Sequence, residues 1–288
     1  MAMQEVSFLS GGDRLAAALF LPAQTPAPAV IFAHGVFEFK EDFFDYAERL
    51  AEAGLAALAL DMRGHGASEG NRYSCDQEQW AADVVGAMDY LETRPEVELG
   101  RFGLVGLSSG GTAVLCAAAR PDPRVRALVT LAASFQTNLS LLERAIFVIL
   151  RAAGVVKRAL TGSDLRVNLT SIAGTMVTAE DPEVDDHFHT APRLVDAFEH
   201  VPFPGVWNGF IVDIRDELGR VQAPTLVIHG AQDHMEPVAG AHILYETLTC
   251  EKELRIIEGS GHLLHLDYKK DEVFALLLDW FQRHQFPV

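Results

Sequence analysis

The chain has 288 residues, 49% of them hydrophobic, and a formal net charge of -17. That length and apolar content suffice for one large α/β domain or for a domain carrying an insertion. The charge argues against nucleic acid and anionic lipid surfaces as partners, since both would be repelled, and Lys and Arg are dispersed along the sequence.

The first twenty residues carry no basic stretch followed by an apolar run, and Glu5, Asp13 and Arg14 interrupt them. Neither a signal peptide nor a spanning helix is expected, so the reading is a cytoplasmic protein without integral membrane association. Cys75, Cys116 and Cys250 form no C-x-x-C pair, in keeping with a reducing compartment, and Cys116 reads as core filling.

In chain order, residues 5–9 and 14–21 flank Ser10-Gly11-Gly12-Asp13 and predict an antiparallel hairpin at a sheet edge. Short apolar runs then recur at residues 29–33, 56–60, 103–107, 127–132, 225–229 and 254–258. Between them lie helical patterns such as 43–53 and 77–92, the latter with Trp80, Val84, Val85, Met88 and Leu91 on one face. Near-continuous strands alternating with helices predict a mostly parallel sheet covered on both faces. The alternation stops between Ser134 and Arg220, where no convincing strand is seen. That segment, 134–220, is expected to be a helical cap inserted into a core of residues 1–133 and 221–288. Its first helix, 139–156, is apolar but interrupted by Glu143, Arg144 and Arg151, and is expected to pack against the sheet domain. A further helix is expected over 182–201, followed by the aromatic stretch 203–210.

Open α/β sheets present ligands at the carboxyl ends of their strands, so the residues that follow each run are the informative ones. Gly106-Leu107-Ser108-Ser109-Gly110 stands where a strand would turn sharply into a helix. Such a turn exposes Ser108 as a nucleophile and asks for glycine two positions either side. After the first parallel strand comes His34-Gly35-Val36-Phe37; the Val36 amide and the Ser109 amide are the candidate oxyanion donors. Asp233 follows the run 225–229 and His262 follows 254–258 on a Gly259-Ser260-Gly261 loop. The order Ser108, Asp233, His262 is that of one triad fold and not of the others. His265 competes for the role of base and His234 stands beside the acid; the reach given by Gly261 favours His262. The polar loop Asp61 to Ser68 carries no phosphate-loop or dinucleotide signature, and its Asp61 and Arg63 could pair to brace the oxyanion turn. No metal-ligand or cofactor motif is present.

Together, His34-Gly35, the D-x-R-G-H-G-x-S segment from Asp61, the Ser108 pentapeptide, Asp233 and Ser260-Gly261-His262 resemble the α/β-hydrolase superfamily. The chain is most similar there to the monoacylglycerol lipase, lysophospholipase and bacterial carboxylesterase group, although its turn reads H-G-V-F-E-F where typical monoacylglycerol lipases carry H-G-x-G-E-H. The resemblance implies the α/β-hydrolase fold and a serine esterase without cofactors, acting on a small-molecule ester. It assigns Ser108 as nucleophile, His262 as base, Asp233 as orienting acid, and Val36 and Ser109 as oxyanion donors. Phe37, Phe135, Phe147, Phe188, Trp207 and Phe210 are candidate lining of the substrate pocket. Thioesterase, carbon-carbon bond hydrolase and aminopeptidase chemistry use the same triad, the last with Glu180-Asp181-Pro182-Glu183 meeting a substrate amine. A non-catalytic ligand-binding homologue is the rival outside enzymes. The sequence leaves the oligomeric state open.

Overall fold

The computed structural model describes residues 2–137, 139–284 and 286, the side chains of Ala2 and Phe210 excepted. Eight strands form one sheet: β1 (Ala2–Ser10), β2 (Asp13–Leu21), β3 (Ala27–Ala33), β4 (Ala56–Leu60), β5 (Val97–Leu107), β6 (Val125–Leu131), β9 (Thr225–Gly230) and β10 (Lys252–Ile257). Their order is β1-β2-β4-β3-β5-β6-β9-β10. The first hairpin pairs antiparallel, in register from Ala2 opposite Leu21 to Ser10 opposite Asp13, and β2 joins β4 antiparallel. Every later pairing is parallel. The central strands β3 and β4 are buried along their whole length, as a sheet covered on both faces requires.

One face is covered by α2 (Gln77–Leu91), α3 (Ser109–Ala118) and α10 (Val238–Thr247), with Trp80 and Met88 in the core. The other is covered by α1 (Phe44–Glu52) and α11 (Lys270–Arg283), which bring Tyr46, Leu50, Trp280 and Phe281 together. Between β6 and β9 run α4 (Leu141–Thr161), β7 (Leu165–Val167), α5 (Thr170–Ala173), α6 (Pro182–Thr190), α7 (Pro192–Glu199), β8 (Val201–Phe203), α8 (Trp207–Phe210) and α9 (Arg215–Leu218).

Three expectations for this stretch need correction. The single helix over 182–201 is two, because Ala191 precedes Pro192, and a residue before proline is driven out of the helical region; its ψ is 125. A small antiparallel ribbon joins β7 to β8; three-residue strands are too short to show in a hydrophobic pattern. Thirdly, α4 does not bury its apolar run. Gly154 is its one buried residue, Phe147 and Leu150 are half-buried, and Leu141, Leu142, Ile149 and Leu160 are between 66% and 88% exposed. The helix is apolar around more than half its circumference, whereas only the narrow stripe through Phe147, Leu150 and Gly154 meets the body. Gly154 permits that approach, since a Cβ there would collide with the Phe203 carbonyl. Ser140 and Glu143 form a reciprocal capping box, so the helix begins at Leu141, not at 139, and it runs on to Thr161, beyond the expected 156. Among the described residues no helix is long and apolar enough to cross a membrane.

Candidate active site

Ser108 caps the N-terminus of α3 with φ 50 and ψ -119, a conformation that L-residues adopt only when the surroundings enforce it. The enforcement is visible in the backbone. Ser108 N–H donates to the Leu131 carbonyl (2.9 Å), and the Ser108 carbonyl accepts from Thr112 (3.2 Å) and Ser134 (3.2 Å). A Cβ at Gly106 would collide with the Gly110 carbonyl, and one at Gly110 would collide with the carbonyls of Ala33 and His34. The second glycine is thus demanded by the end of β3 as much as by the turn itself.

Strand β3 delivers the His34–Phe37 turn, the candidate oxyanion turn, beside this serine; a Cβ at Gly35 would sit 3.4 Å from Ser108 Cβ. The turn is held from three sides. His34 Nε2 accepts from Met62 N–H (3.0 Å), and His65 Nε2 accepts from Phe37 N–H (3.2 Å). Glu38, 5% exposed, accepts Gly35 N–H on its Oε2 (2.6 Å). Phe37 itself has φ 68. Burial and the Asp42 charge push the Glu38 carboxyl up to about 8, against His262 and the Gly35 amide, which lower it. The amides of Val36 and Ser109 donate to no acceptor among the described residues, which leaves both available to a ligand oxygen.

The expected Asp61–Arg63 pair is absent. Asp61 instead binds Lys40, through Nζ to Oδ2 (3.0 Å) and through the backbone N–H to Oδ1 (3.0 Å). Arg63 turns away to Asp83, with Nη2 to Oδ1 at 2.5 Å and Nε to Oδ2 at 3.1 Å, and to Asp13. Each carboxylate is the nearer one on its own side of the loop, so the segment braces the turn through Asp61 and His65 while Arg63 anchors it to β1 and α2.

Asp233 and His262 follow β9 and β10. His262 Nδ1 lies 2.8 Å from Asp233 Oδ2, whose partner oxygen Oδ1 accepts from the Met235 and Glu236 amides (2.8 Å each). His229 approaches Asp233 Oδ2 at 3.3 Å. Burial favours a neutral Asp233, but His262 and His229 outweigh it and hold the carboxyl well below the usual range. Burial likewise disfavours a charged His262, yet Asp233, with Glu236 and Glu38 behind it, raises the imidazole above its ordinary value. Ser108 Oγ makes no hydrogen bond to a described residue, while its strand end and that of Asp233 are separated by β6 alone. The competing His265 is buried against Phe43, with ring centroids 4.5 Å apart and neither nitrogen bonded; burial drives it down to about 3. His234 is exposed.

Two carboxyls that the sequence reading passed over complete the surroundings. Glu236 is bonded to Ser134 and raised by burial. Asp267, 1% exposed, collects Gly261 N–H (2.7 Å), Ser260 Oγ–H (3.2 Å) and the amides of Glu180 (3.0 Å), Asp181 (2.9 Å) and Tyr268 (2.8 Å). It thereby ties the His262 loop to the stretch ahead of α6. The Asp267 side chain falls five residues after His262, and only its burial distinguishes it from the many surface acids of this chain.

The aromatic candidates fall into separate places. Phe37 and Phe188 both pack on Phe198, at 4.9 Å and 5.6 Å between centroids, and Phe147 packs on Phe203 (5.8 Å). Phe135 lies in the core on the opposite face of the sheet, and Trp207 carries Arg151 over its ring at 4.6 Å. The Phe210 side chain lies outside the described residues.

A strained serine between a parallel strand and a helix, beside a His–Gly turn at the carboxyl edge of this sheet, defines the molecule as an α/β-hydrolase. The model of the serine aminopeptidase S33 family (Hydrolase_4) matches residues 24–269, and the chain belongs to that family. It is similar to a monoacylglycerol lipase of Mycolicibacterium smegmatis, 27% identical over 285 residues and 95% of each chain. It is also similar to the human monoglyceride lipase, 28% identical over 257 residues, 88% of this chain and 81% of that one. Among solved structures, the α/β-hydrolase GrgF from Penicillium sp. sh18 superposes with a TM-score of 0.82 at 23% identity, covering 99% of both chains.

Proposed function

We propose that the protein is a serine esterase that cleaves carboxylic esters of small or medium acyl or aryl substrates through an acyl-enzyme. The observation that carries the reading is the His262–Asp233 hydrogen bond of 2.8 Å, buried at the same sheet edge as the strained Ser108. In the first step the Ser108 hydroxyl proton passes to His262 Nε2 and Oγ bonds the ester carbon. The carbonyl oxygen takes the electron pair and is held by the Val36 and Ser109 amides. Collapse of this adduct expels the alkoxide, which takes the proton from His262; water then repeats the sequence against the acyl-enzyme. Residues 134–220 act as the cap over a core of 1–133 and 221–288. Phe37 and Phe188, on the Phe198 cluster, are the aromatics best placed to meet an acyl chain. The relatives named as monoacylglycerol and monoglyceride lipases support an ester over an amide. The free thiols, two of them buried, fit a cytoplasmic setting.

The acidic stretch weighs little for an aminopeptidase. Asp181 caps α6 by accepting Glu183 N–H at 2.9 Å, so its carboxylate is already engaged. A p-nitrophenyl ester series of increasing chain length, run beside aminoacyl and thioester substrates, tests the reading. Ester turnover that survives Ser108→Ala, or a fluorophosphonate that labels both proteins equally, would refute the nucleophile. Preferred turnover of the aminoacyl substrates would replace the esterase by a peptidase.

A further inference from the structure

Glu38 is placed where no turn former needs to be. Its carboxyl is 5% exposed and its Oε2 binds the Gly35 amide at 2.6 Å. It touches Gly35 on the side where a Cβ would stand, and that same position is 3.4 Å from Ser108 Cβ. The carboxyl therefore closes the back of the oxyanion turn, one backbone thickness from the nucleophile. The Gly35 amide and the His262 charge are what favour its ionised form, and burial outweighs both.

We propose that Glu38 is a positioning residue for acyl transfer: its carboxyl fixes the 34–37 turn through Gly35, and its ionisation sets the alkaline limit of turnover. The inference rests on the Ser108 esterase reading and adds to it a second titrating group. When neutral, the carboxyl supports the turn without opposing the charge that develops on the oxyanion. When ionised, it puts a negative charge behind that oxygen; at a separation of order 6 Å and an effective dielectric of about 20, this slows the step roughly a hundredfold.

The charges that face Glu38 agree with this direction. Asp42, on the following turn, is bonded to Phe39 N–H (2.9 Å) and is itself pushed up to about 6 by burial. Arg193 of α7 and His187 of α6 act on Asp42 and lower it. From the loop after β10 comes His262, backed by Asp233 and Glu236. From the loop after β4 come His65, kept neutral by burial and His34, and Asp61, paired with Lys40 of the segment after β3. His262 is thus the cation facing Glu38, and it loses its charge as the enzyme becomes active. The Gly35 amide alone then favours the ionised form against burial, and the Glu38 carboxyl, raised to about 8, titrates on the alkaline side of neutral.

The test is the pH profile of p-nitrophenyl butyrate hydrolysis from pH 5 to 10, with the rate of fluorophosphonate labelling of Ser108 read in parallel. Wild type should lose about tenfold between pH 7 and pH 9, as a group near 8 requires. Glu38→Gln, which keeps a carbonyl for the Gly35 amide, should lose that fall when its profile is normalised to its own rate at pH 7. Glu38→Ala, without the acceptor, should lose activity at every pH through the loosened turn, by up to the 10²- to 10³-fold worth of one oxyanion donor. An unchanged alkaline fall in Glu38→Gln overturns the proposal, as does a Gln variant inactive at every pH while its fold is intact. Labelling that is absent from wild type at every pH overturns the esterase reading and this inference with it, whereas labelling present with an unmoved alkaline limb overturns this inference alone.

Discussion

Removing Arg63 should cost the protein a large part of its stability, and should cost more at high pH than at low. Among the described residues the Arg63 guanidinium is the only cation paired with Asp83, which is fully buried and otherwise receives Ser10 Oγ–H at 2.6 Å. Arg63 also donates to the Ser10 carbonyl at 2.8 Å, so Arg63→Ala orphans an ion and an acceptor together. Breaking one partner from a buried ion pair costs about 3–5 kcal/mol, about a fifth or more of the roughly 5–15 kcal/mol that holds a domain folded. The loss is limited by proton uptake. Burial already raises the Asp83 carboxyl despite Arg63 and Ser10, and without Arg63 its folded value rises further above its unfolded one. A raised folded value adds stability below the unfolded pKa and loses it as pH climbs through the folded one. The gap between variant and wild type should therefore widen from pH 5 to pH 8. Urea unfolding at both pH values measures it. A loss below about 1 kcal/mol at pH 8, or one equally large at pH 5, would refute the account of a desolvated pair. A double variant, Arg63→Met with Asp83→Leu, should recover most of the loss, because it removes both charges at once.

Two further outcomes follow from the site. Asp233→Asn should lower kcat by about 10⁴ through the wrong imidazole tautomer. It should also move the acid limb of kcat/KM downward, because Asp233 is the chief group that raises His262; an acid limb that stays in place would exclude that coupling. Asp267→Asn leaves at least two of five donors unpartnered, whichever oxygen becomes the amide. Thermal unfolding should register about 2–4 kcal/mol, with hydrogen exchange quickened at residues 178–181 and 260–263; exchange unchanged at 178–181 would show that the Asp267 tie does not reach that stretch.

The parts of the site that were legible in the sequence are those that local backbone chemistry writes down. Gly106 and Gly110 stand where a side chain would strike backbone, and such positions leave glycines in the text. The alternation of buried strands and amphipathic helices likewise fixed the hairpin, the parallel order and the carboxyl-edge loops. What could not be read depends on pairing across long sequence distances. Asp61 and Arg63 are two residues apart and of opposite charge, yet each finds a partner about twenty residues away, Lys40 and Asp83. The apolar run of α4 shows only that a face exists. Whether that face is covered depends on the shape of the surface beneath, and here Phe203 and Gly154 confine the contact to one stripe. Asp267 looks like an ordinary surface acid until its burial is known, and Glu38, though it lies in the H-G-V-F-E-F turn, gives no sign there that its carboxyl is buried.

Those long-range pairs also explain how the segment 134–220 bears on the candidate site. It meets Ser108 through the backbone, where Ser134 N–H donates to the Ser108 carbonyl at 3.2 Å, and its stretch from Thr178 to Asp181 lies directly on the His262 loop. Thr178 O accepts Leu263 N–H at 2.9 Å, and a Cβ on Gly261 would come within 2.9 Å of Ala179 Cα. Asp267 gathers both strands of this contact. On the opposite side the segment is fastened at residues 71–76, where Gly205 O accepts Cys75 N–H at 3.1 Å and Ser74 Oγ–H at 2.7 Å. Ser108 is held by β6 and the end of β3, whereas His262 rests on a loop that shares Asp267 with residues 180–181, so the two side chains are anchored by different parts of the chain.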